Sequence, residues 1–136
     1  MTLDGAIHAL YAALCFAPGQ SPDWNLLANV LAPNARLVRV NDDGVFEFDP
    51  RSFRDDLETM MAAGRLPSFW ESEVSREVQQ FAGIAHVLSI YEARATRDGA
   101  VLFRAVKSMQ LFERDGRWWI SALLWRREGR DFRIAT

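Results

Sequence analysis

The chain has 136 residues, enough for one domain with a hydrophobic core, and its 49% hydrophobic and 25% charged residues are ordinary for a globular protein. Sixteen basic residues against eighteen acidic ones give a net charge of −2, and no basic run alternates with aromatic residues. This balance excludes nucleic acid as an expected partner. No apolar run has the length of a membrane span, so no membrane partner is expected.

The single cysteine, Cys15, cannot form a disulfide within the chain and fits a small core residue in a reducing compartment. The N-terminal residues 1–5 lack the basic and apolar regions of a signal peptide. We therefore expect a cytoplasmic protein. No spacing of cysteine and histidine is typical of a zinc site, and neither a metal nor a cofactor is predicted.

The N-terminal part predicts two helices. Apolar residues recur at helical spacing over Leu3–Phe16, and Pro18-Gly19 ends this first helix. A second helix is capped by either Ser21 or Asp23, and the sequence does not decide between them. Pro33 marks the end of the second helix.

Two short strands are predicted next, at 35–40 and 45–48, with a turn between them. Asp49-Pro50 has the capping side chain and first-turn proline of a helix start, and Gly64 marks the end of this third helix. The segment 68–80 has a strand-like but polar pattern.

The C-terminal third predicts three long strands, Ile84–Thr96, Val101–Glu113 and Trp118–Arg126. The turns between them, at 97–99 and 115–116, contain Asp-Gly, the strongest short-range signal for a β-hairpin. The chain is therefore predicted to be one domain, residues 1–136, with helices first and a curled antiparallel sheet after them.

Neither face of these three strands is cleanly polar, so both faces are expected to be covered. The helices cover one face. A second copy of the chain, or the tail Glu128–Thr136 folded back, covers the other. We favour a homodimer that forms through the sheet.

Four segments carry a resemblance to a known group of proteins: Tyr11–Leu14, Asp23–Ala35, Ile84–Val87 and Asp115–Ile120. They resemble the nuclear transport factor 2-like superfamily, which includes SnoaL-like polyketide cyclases and ketosteroid isomerases. The resemblance implies an α+β fold shaped as a cone, with a strongly curved antiparallel sheet wrapped around the N-terminal helices. It also implies a dimer through the outer face of the sheet and an apolar pocket inside the cone.

The resemblance further implies which side chains point into the cone. Seven residues are placed around its cavity as ligand-binding candidates: Tyr11, Ser89, Tyr91, Arg104, Ser108, Gln110 and Trp118. Arg104 has two interpretations, an ion pair with Glu71 or Glu73 that braces neighbouring strands, or an anchor for an anionic group of a ligand. His86 is expected on the outer, convex face.

Three functions stay open. The first is a small-molecule-binding domain for an apolar or aromatic ligand with one polar or anionic group, without assigned catalysis. The second is a cyclase, isomerase or dehydratase acting by proton transfer, with Asp23, Glu71 or His8 as the base. The third is a protein-interaction module using the convex face.

Ketosteroid isomerisation itself is not expected. The resemblance places the isomerase base at the end of the strand 35–40, where this chain has Arg39 and Val40, and places a second acid near Ser108, where no acid stands. Two of the three groups that make up this chemistry are therefore absent from the sequence.

Overall fold

The computed structural model describes residues 1–135, in which three helices and six strands form one α+β unit. In chain order these are α1 (Leu3–Leu14), α2 (Trp24–Ala28), β1 (Leu31–Asn41), β2 (Gly44–Phe48), α3 (Pro50–Ala62), β3 (Trp70–Phe81), β4 (Ile84–Arg94), β5 (Val101–Arg114) and β6 (Arg117–Arg127).

The second helix starts at the cap that the sequence left undecided and is shorter than predicted. Asp23 is the capping residue, and its carboxylate accepts a hydrogen bond of 3.0 Å from the backbone N–H of Leu26. The helix has only five residues, because Leu31 already pairs with Ile120 as part of β1. The predicted end at Pro33 is therefore wrong, and strand pairing outcompetes the helical pattern of this segment.

The third helix starts where the sequence predicts. Asp49 accepts a hydrogen bond from the backbone N–H of Ser52, and the Ser52 hydroxyl accepts one from the backbone N–H of Asp49, which completes a capping box. Pro50 occupies the first turn, where its missing N–H costs nothing.

The six strands form one sheet in the order β2-β1-β6-β5-β4-β3. All neighbours are antiparallel except β1 and β6, which run parallel. The β5–β6 hairpin turns at Asp115-Gly116, both with positive φ, as the Asp-Gly signal predicts. Helix α1 packs against β3 and β6, and α3 packs against β1 and β2, so the core lies between these helices and the inner face of the sheet.

The strand pairing contains four register shifts, and those in β5 and β6 reverse the alternation of side chains along these two strands. In β5, Leu102 is the extra residue, since its neighbours Val101 and Phe103 pair with the consecutive residues Arg94 and Ala93 of β4. In β6, Ser121 is the extra residue, since Ile120 and Ala122 pair with the consecutive residues Leu111 and Gln110 of β5. An extra residue of this kind shifts every later side chain to the opposite face. In β6, the even-numbered side chains therefore face inward before Ser121 and the odd-numbered ones after it.

No helix among residues 1–135 combines the length and apolar composition that a membrane crossing requires.

Candidate ligand cavity

A cavity of about 350 Å³ lies between α3 and the inner face of the sheet. Helix α3 contributes Phe53, Leu57 and Met60 to its wall, and the sheet contributes aromatic side chains from three strands. Such a cavity, mostly apolar with a few polar groups, has the composition of a small-molecule site. The polar side chains that line it are Arg39, Asn41, Glu71, Lys107 and Arg127.

Lys107 and Glu71 form a buried ion pair in the wall of this cavity. Lys107 Nζ lies 2.7 Å from Glu71 Oε1, and each side chain is only 3% exposed. The same nitrogen lies 3.6 Å from the centroid of the Tyr91 ring and 4.3 Å from that of the Tyr11 ring. The ammonium is thus held by one carboxylate and by the negative faces of two aromatic rings.

Burial changes the proton affinity of both partners. It raises the pKa of Glu71, and the nearby Lys107 charge opposes this rise only in part. It lowers the pKa of Lys107, and the Glu71 charge opposes this fall only in part. The two shifts bring the proton affinities of the carboxyl group and the amine closer together, and the 2.7 Å hydrogen bond joins the two groups directly.

A hydrogen-bond chain behind the pair fixes the Tyr11 hydroxyl. Tyr11 donates to Ser89 Oγ over 2.7 Å, since Ser89 itself donates to Glu73 Oε2 over 2.5 Å. Arg76 then pairs with Glu73 at 2.6 Å and with Asp4 at 2.7 Å. Burial raises the pKa of Tyr11, which keeps the phenol protonated. Tyr11 therefore presents its ring to Lys107, while its hydroxyl is held by Ser89.

Four of the seven ligand-binding candidates point to the inner side, as predicted. Tyr11, Ser89, Tyr91 and Trp118 are buried, and Tyr91 lines the cavity. Ser89 is paired with Lys107 in the β4–β5 register, and its hydroxyl accepts the hydrogen bond from Tyr11. Trp118 packs in the core, with its backbone N–H donating to the Met1 carbonyl, and is not part of the cavity wall. Their role in ligand binding stays a prediction.

The predicted inward orientation of Arg104, Ser108 and Gln110 is wrong. These residues lie on the outer face, because the register pairs Lys107 with Ser89, and Ser108 with outward Leu88. Gln110 hydrogen-bonds Nδ1 of His86, which lies on the outer face as expected. The side chains that face inward from β5 are those of the odd residues Ala105, Lys107, Met109 and Leu111.

The predicted ion pair of Arg104 with Glu71 or Glu73 is wrong for the same reason. Arg104 lies opposite Glu92 on the outer face, whereas Glu71 pairs with Lys107 and Glu73 with Arg76. Arg104 therefore cannot anchor the anionic group of a ligand inside the cavity.

Lys107 is the polar residue of the cavity wall that the sequence-based prediction missed. The resemblance places Arg104, Ser108 and Gln110 inside the cone, which leaves Lys107 on the outer face, and lysine is rarely buried. A different signal was available, since Lys107 is the single lysine among sixteen basic residues. The composition of the chain therefore singles out Lys107, although the predicted orientation of β5 places it on the wrong face.

Of the three bases considered for proton transfer, the structure places only Glu71 in the cavity wall. Asp23 is exposed and caps α2, and His8 is exposed on α1. Among residues 1–135, no group of three histidine, cysteine or acidic side chains is positioned to hold a metal ion.

Comparison with solved structures identifies the fold. A protein of unknown function with a cystatin-like fold from Nostoc punctiforme superposes with a TM-score of 0.72 at 12% identity, over 94% of this chain and 90% of that one. A protein from Silicibacter pomeroyi described as NTF-2 like superposes with a TM-score of 0.62 at 17% identity, over 93% and 92% of the two chains. The chain has the nuclear transport factor 2-like fold.

LinA shares this nuclear transport factor 2-like fold, with a TM-score of 0.66 at 13% identity over 98% of this chain and 93% of LinA. No protein-family profile matches the sequence, and no curated protein matches it. At these identities the likeness shows the fold alone, so the chemistry has to be inferred from the residues of the cavity.

Proposed function

We propose that this protein binds a small molecule with an apolar or aromatic body and one polar or anionic group in the cavity beneath α3. The observation that carries this proposal is the buried Lys107–Glu71 pair in the wall of an otherwise apolar cavity of about 350 Å³. Ligand sites of folded proteins have volumes of roughly 300–1,000 Å³ and a few convergent polar groups.

The charges around the cavity support an anionic end on the ligand. Three cations line it, Arg39, Lys107 and Arg127, against the one carboxylate of Glu71. Asp56 neutralises Arg39 through an ion pair of 3.0 Å, and Glu71 neutralises Lys107. One positive charge is then left over, and a carboxylate or enolate on the ligand complements it.

Filling the cavity tests the proposal. Leu57 of α3 lines the cavity, so Leu57→Trp places a large ring in the space that a ligand needs. We expect the affinity for 2-naphthoate, measured by calorimetry, to fall at least about tenfold, or about 1.4 kcal/mol. Ala62→Trp adds the same ring at an exposed position of the same helix and should leave the affinity unchanged. Equal affinities for the wild type and Leu57→Trp would contradict the proposal.

Proton transfer on a bound ligand is the second candidate function. It is favoured by Glu71, a carboxylate in the cavity wall whose pKa is raised by burial. Exchange of the α-hydrogens of 2-tetralone for deuterium, followed by NMR, separates this function from binding alone. Catalysed exchange that Glu71→Gln abolishes would establish it.

A cytoplasmic location stays a prediction from the sequence.

A further inference from the structure

The basic residues of this chain are almost all arginine. Fifteen of the sixteen are arginine, and the single lysine, Lys107, is buried in the cavity wall. Arginine stays protonated in proteins, whereas a lysine in a desolvated site can lose its proton and act as a nucleophile. The chain therefore has its only side-chain amine at the one basic position that combines burial with access to a cavity.

The surroundings of Lys107 suit a reactive amine. Glu71 Oε1 lies 2.7 Å from Nζ and can accept a proton from Lys107, whose pKa is lowered by burial while burial raises the pKa of Glu71. The ring of Tyr91 packs against the same nitrogen at 3.6 Å. A cation held only for stability would need no opening into a cavity, yet both Lys107 and Glu71 line one.

We propose that Lys107 forms an imine with the carbonyl group of an apolar aldehyde or ketone, and that Glu71 moves the protons of this reaction. The inference rests on the proposed function, because the carbonyl compound must first enter the cavity. Aromatic side chains of the wall, such as Phe103 and Trp125, favour an aryl or similar flat body on that compound.

The reaction balances without an oxidant or reductant. The amine lone pair of Lys107 forms a bond to the carbonyl carbon, and the carbonyl π pair moves to oxygen, which takes the proton of the Glu71 carboxylic acid. The nitrogen then gives one proton to the Glu71 carboxylate, leaving a neutral carbinolamine. Glu71 returns this proton to the hydroxyl, the C–O bond breaks, and water leaves. The iminium that remains carries one N–H, which pairs with the Glu71 carboxylate.

Reductive trapping tests the inference with little ambiguity, because the only other amine is the N-terminus. The protein is incubated with 2-naphthaldehyde and sodium cyanoborohydride, which reduces an iminium to a stable secondary amine. Peptide mass spectrometry then locates the naphthylmethyl group. We expect Lys107 to be labelled at least about tenfold faster than the N-terminal amine, because burial lowers the pKa of Lys107 and the cavity holds the aldehyde beside Nζ.

Two variants control the experiment. Lys107→Arg keeps a cation for Glu71 but cannot form the adduct, so labelling at position 107 should be lost. Glu71→Gln keeps the shape of the side chain but removes the proton carrier, and labelling of Lys107 should slow at least about tenfold. If Lys107→Arg does not fold, the double variant Glu71→Leu/Lys107→Met serves as the unreactive control.

Binding of 2-naphthalenemethanol, which has the same body and no carbonyl group, separates the two proposals. Binding of this alcohol together with labelled Lys107 supports both. Binding of the alcohol with Lys107 unlabelled overturns the imine inference and leaves the proposed function standing. Failure of the alcohol, 2-naphthoate and the aldehyde alike overturns both.

Discussion

At the scale of single residues, the Lys107–Glu71 pair is the most consequential contact of this protein. Removing two charges from water costs several kcal/mol for each ion, and their attraction recovers this cost only when the geometry is good. Here the 2.7 Å contact and the two aromatic faces supply that geometry. Buried pairs of this kind often contribute little net stability, so a functional reason for keeping one is worth seeking.

Breaking the pair from one side should destabilise the protein far more than removing it. Lys107→Met leaves Glu71 buried without its partner and should lower the free energy of unfolding by about 3–5 kcal/mol. Glu71→Leu/Lys107→Met leaves no buried charge and should lie within about 2 kcal/mol of the wild type. Urea unfolding of both variants measures the difference. A double variant as unstable as Lys107→Met would show that packing, and not charge, decides stability here.

The pH dependence of stability follows from the same two groups. The raised pKa of Glu71 means that its contribution is full below its unfolded value of about 4.3 and is lost as the pH rises through the folded value. The lowered pKa of Lys107 means that its contribution is full above about 10.4 and is lost as the pH falls through the folded value. Relative to Glu71→Leu/Lys107→Met, the wild type should thus be least stable near neutral pH.

At the scale of elements, one extra residue in each of β5 and β6 decides which side chains of these two strands reach the cavity. Ser121 is the extra residue in β6, and beyond it Leu123 and Trp125 face inward, although strict alternation from Trp118 would turn them outward. Leu102 has the same effect near the start of β5. The sequence shows alternation and turn residues, but an irregularity without a glycine or proline signal is not visible in it. This is why the predicted face of β5 is wrong.

Deleting Ser121 should turn Leu123 and Trp125 out of the core. Burial of a large apolar side chain contributes roughly 1.5–3 kcal/mol, so we expect a loss of several kcal/mol or failure to fold. Ser121→Ala retains the extra residue and removes only the 3.1 Å hydrogen bond from its hydroxyl to the Gln110 carbonyl. This control should lose about 0.5–1.5 kcal/mol. Thermal unfolding compares the two, and equal losses would contradict the assigned role of the extra residue.

At the scale of the whole molecule, the sequence predicts the architecture well and the cavity only in part. Hairpin turns, helix caps and long strands depend on local residues, so the α+β fold and the order of its elements are confirmed. Ser89 and Tyr91 face inward as predicted, because β4 has no irregularity before Ala93 in its pairing with β5. The Lys107–Glu71 pair joins residues 36 positions apart on strands that are not neighbours, and no local pattern specifies such a contact.

An exposed row with two leucines on the outer face of the sheet favours a homodimer. Leu88, Ser108 and Leu124 form one row across β4, β5 and β6, and the two leucines are 39% and 41% exposed. A second copy of the chain would bury this apolar row, so we predict a homodimer, to be measured by light scattering coupled to size-exclusion chromatography.

Leu88→Asp/Leu124→Asp introduces charges into the centre of this row and should halve the measured mass, since charges are depleted from the core of an interface. Leu102→Asp is the matched control, because Leu102 is 62% exposed near the β4–β5 hairpin, away from the row, and this variant should remain dimeric. Binding of 2-naphthoate should survive in both, since the cavity lies on the opposite face of the sheet. A monomeric wild type would contradict the homodimer and leave the exposed row available to a different protein.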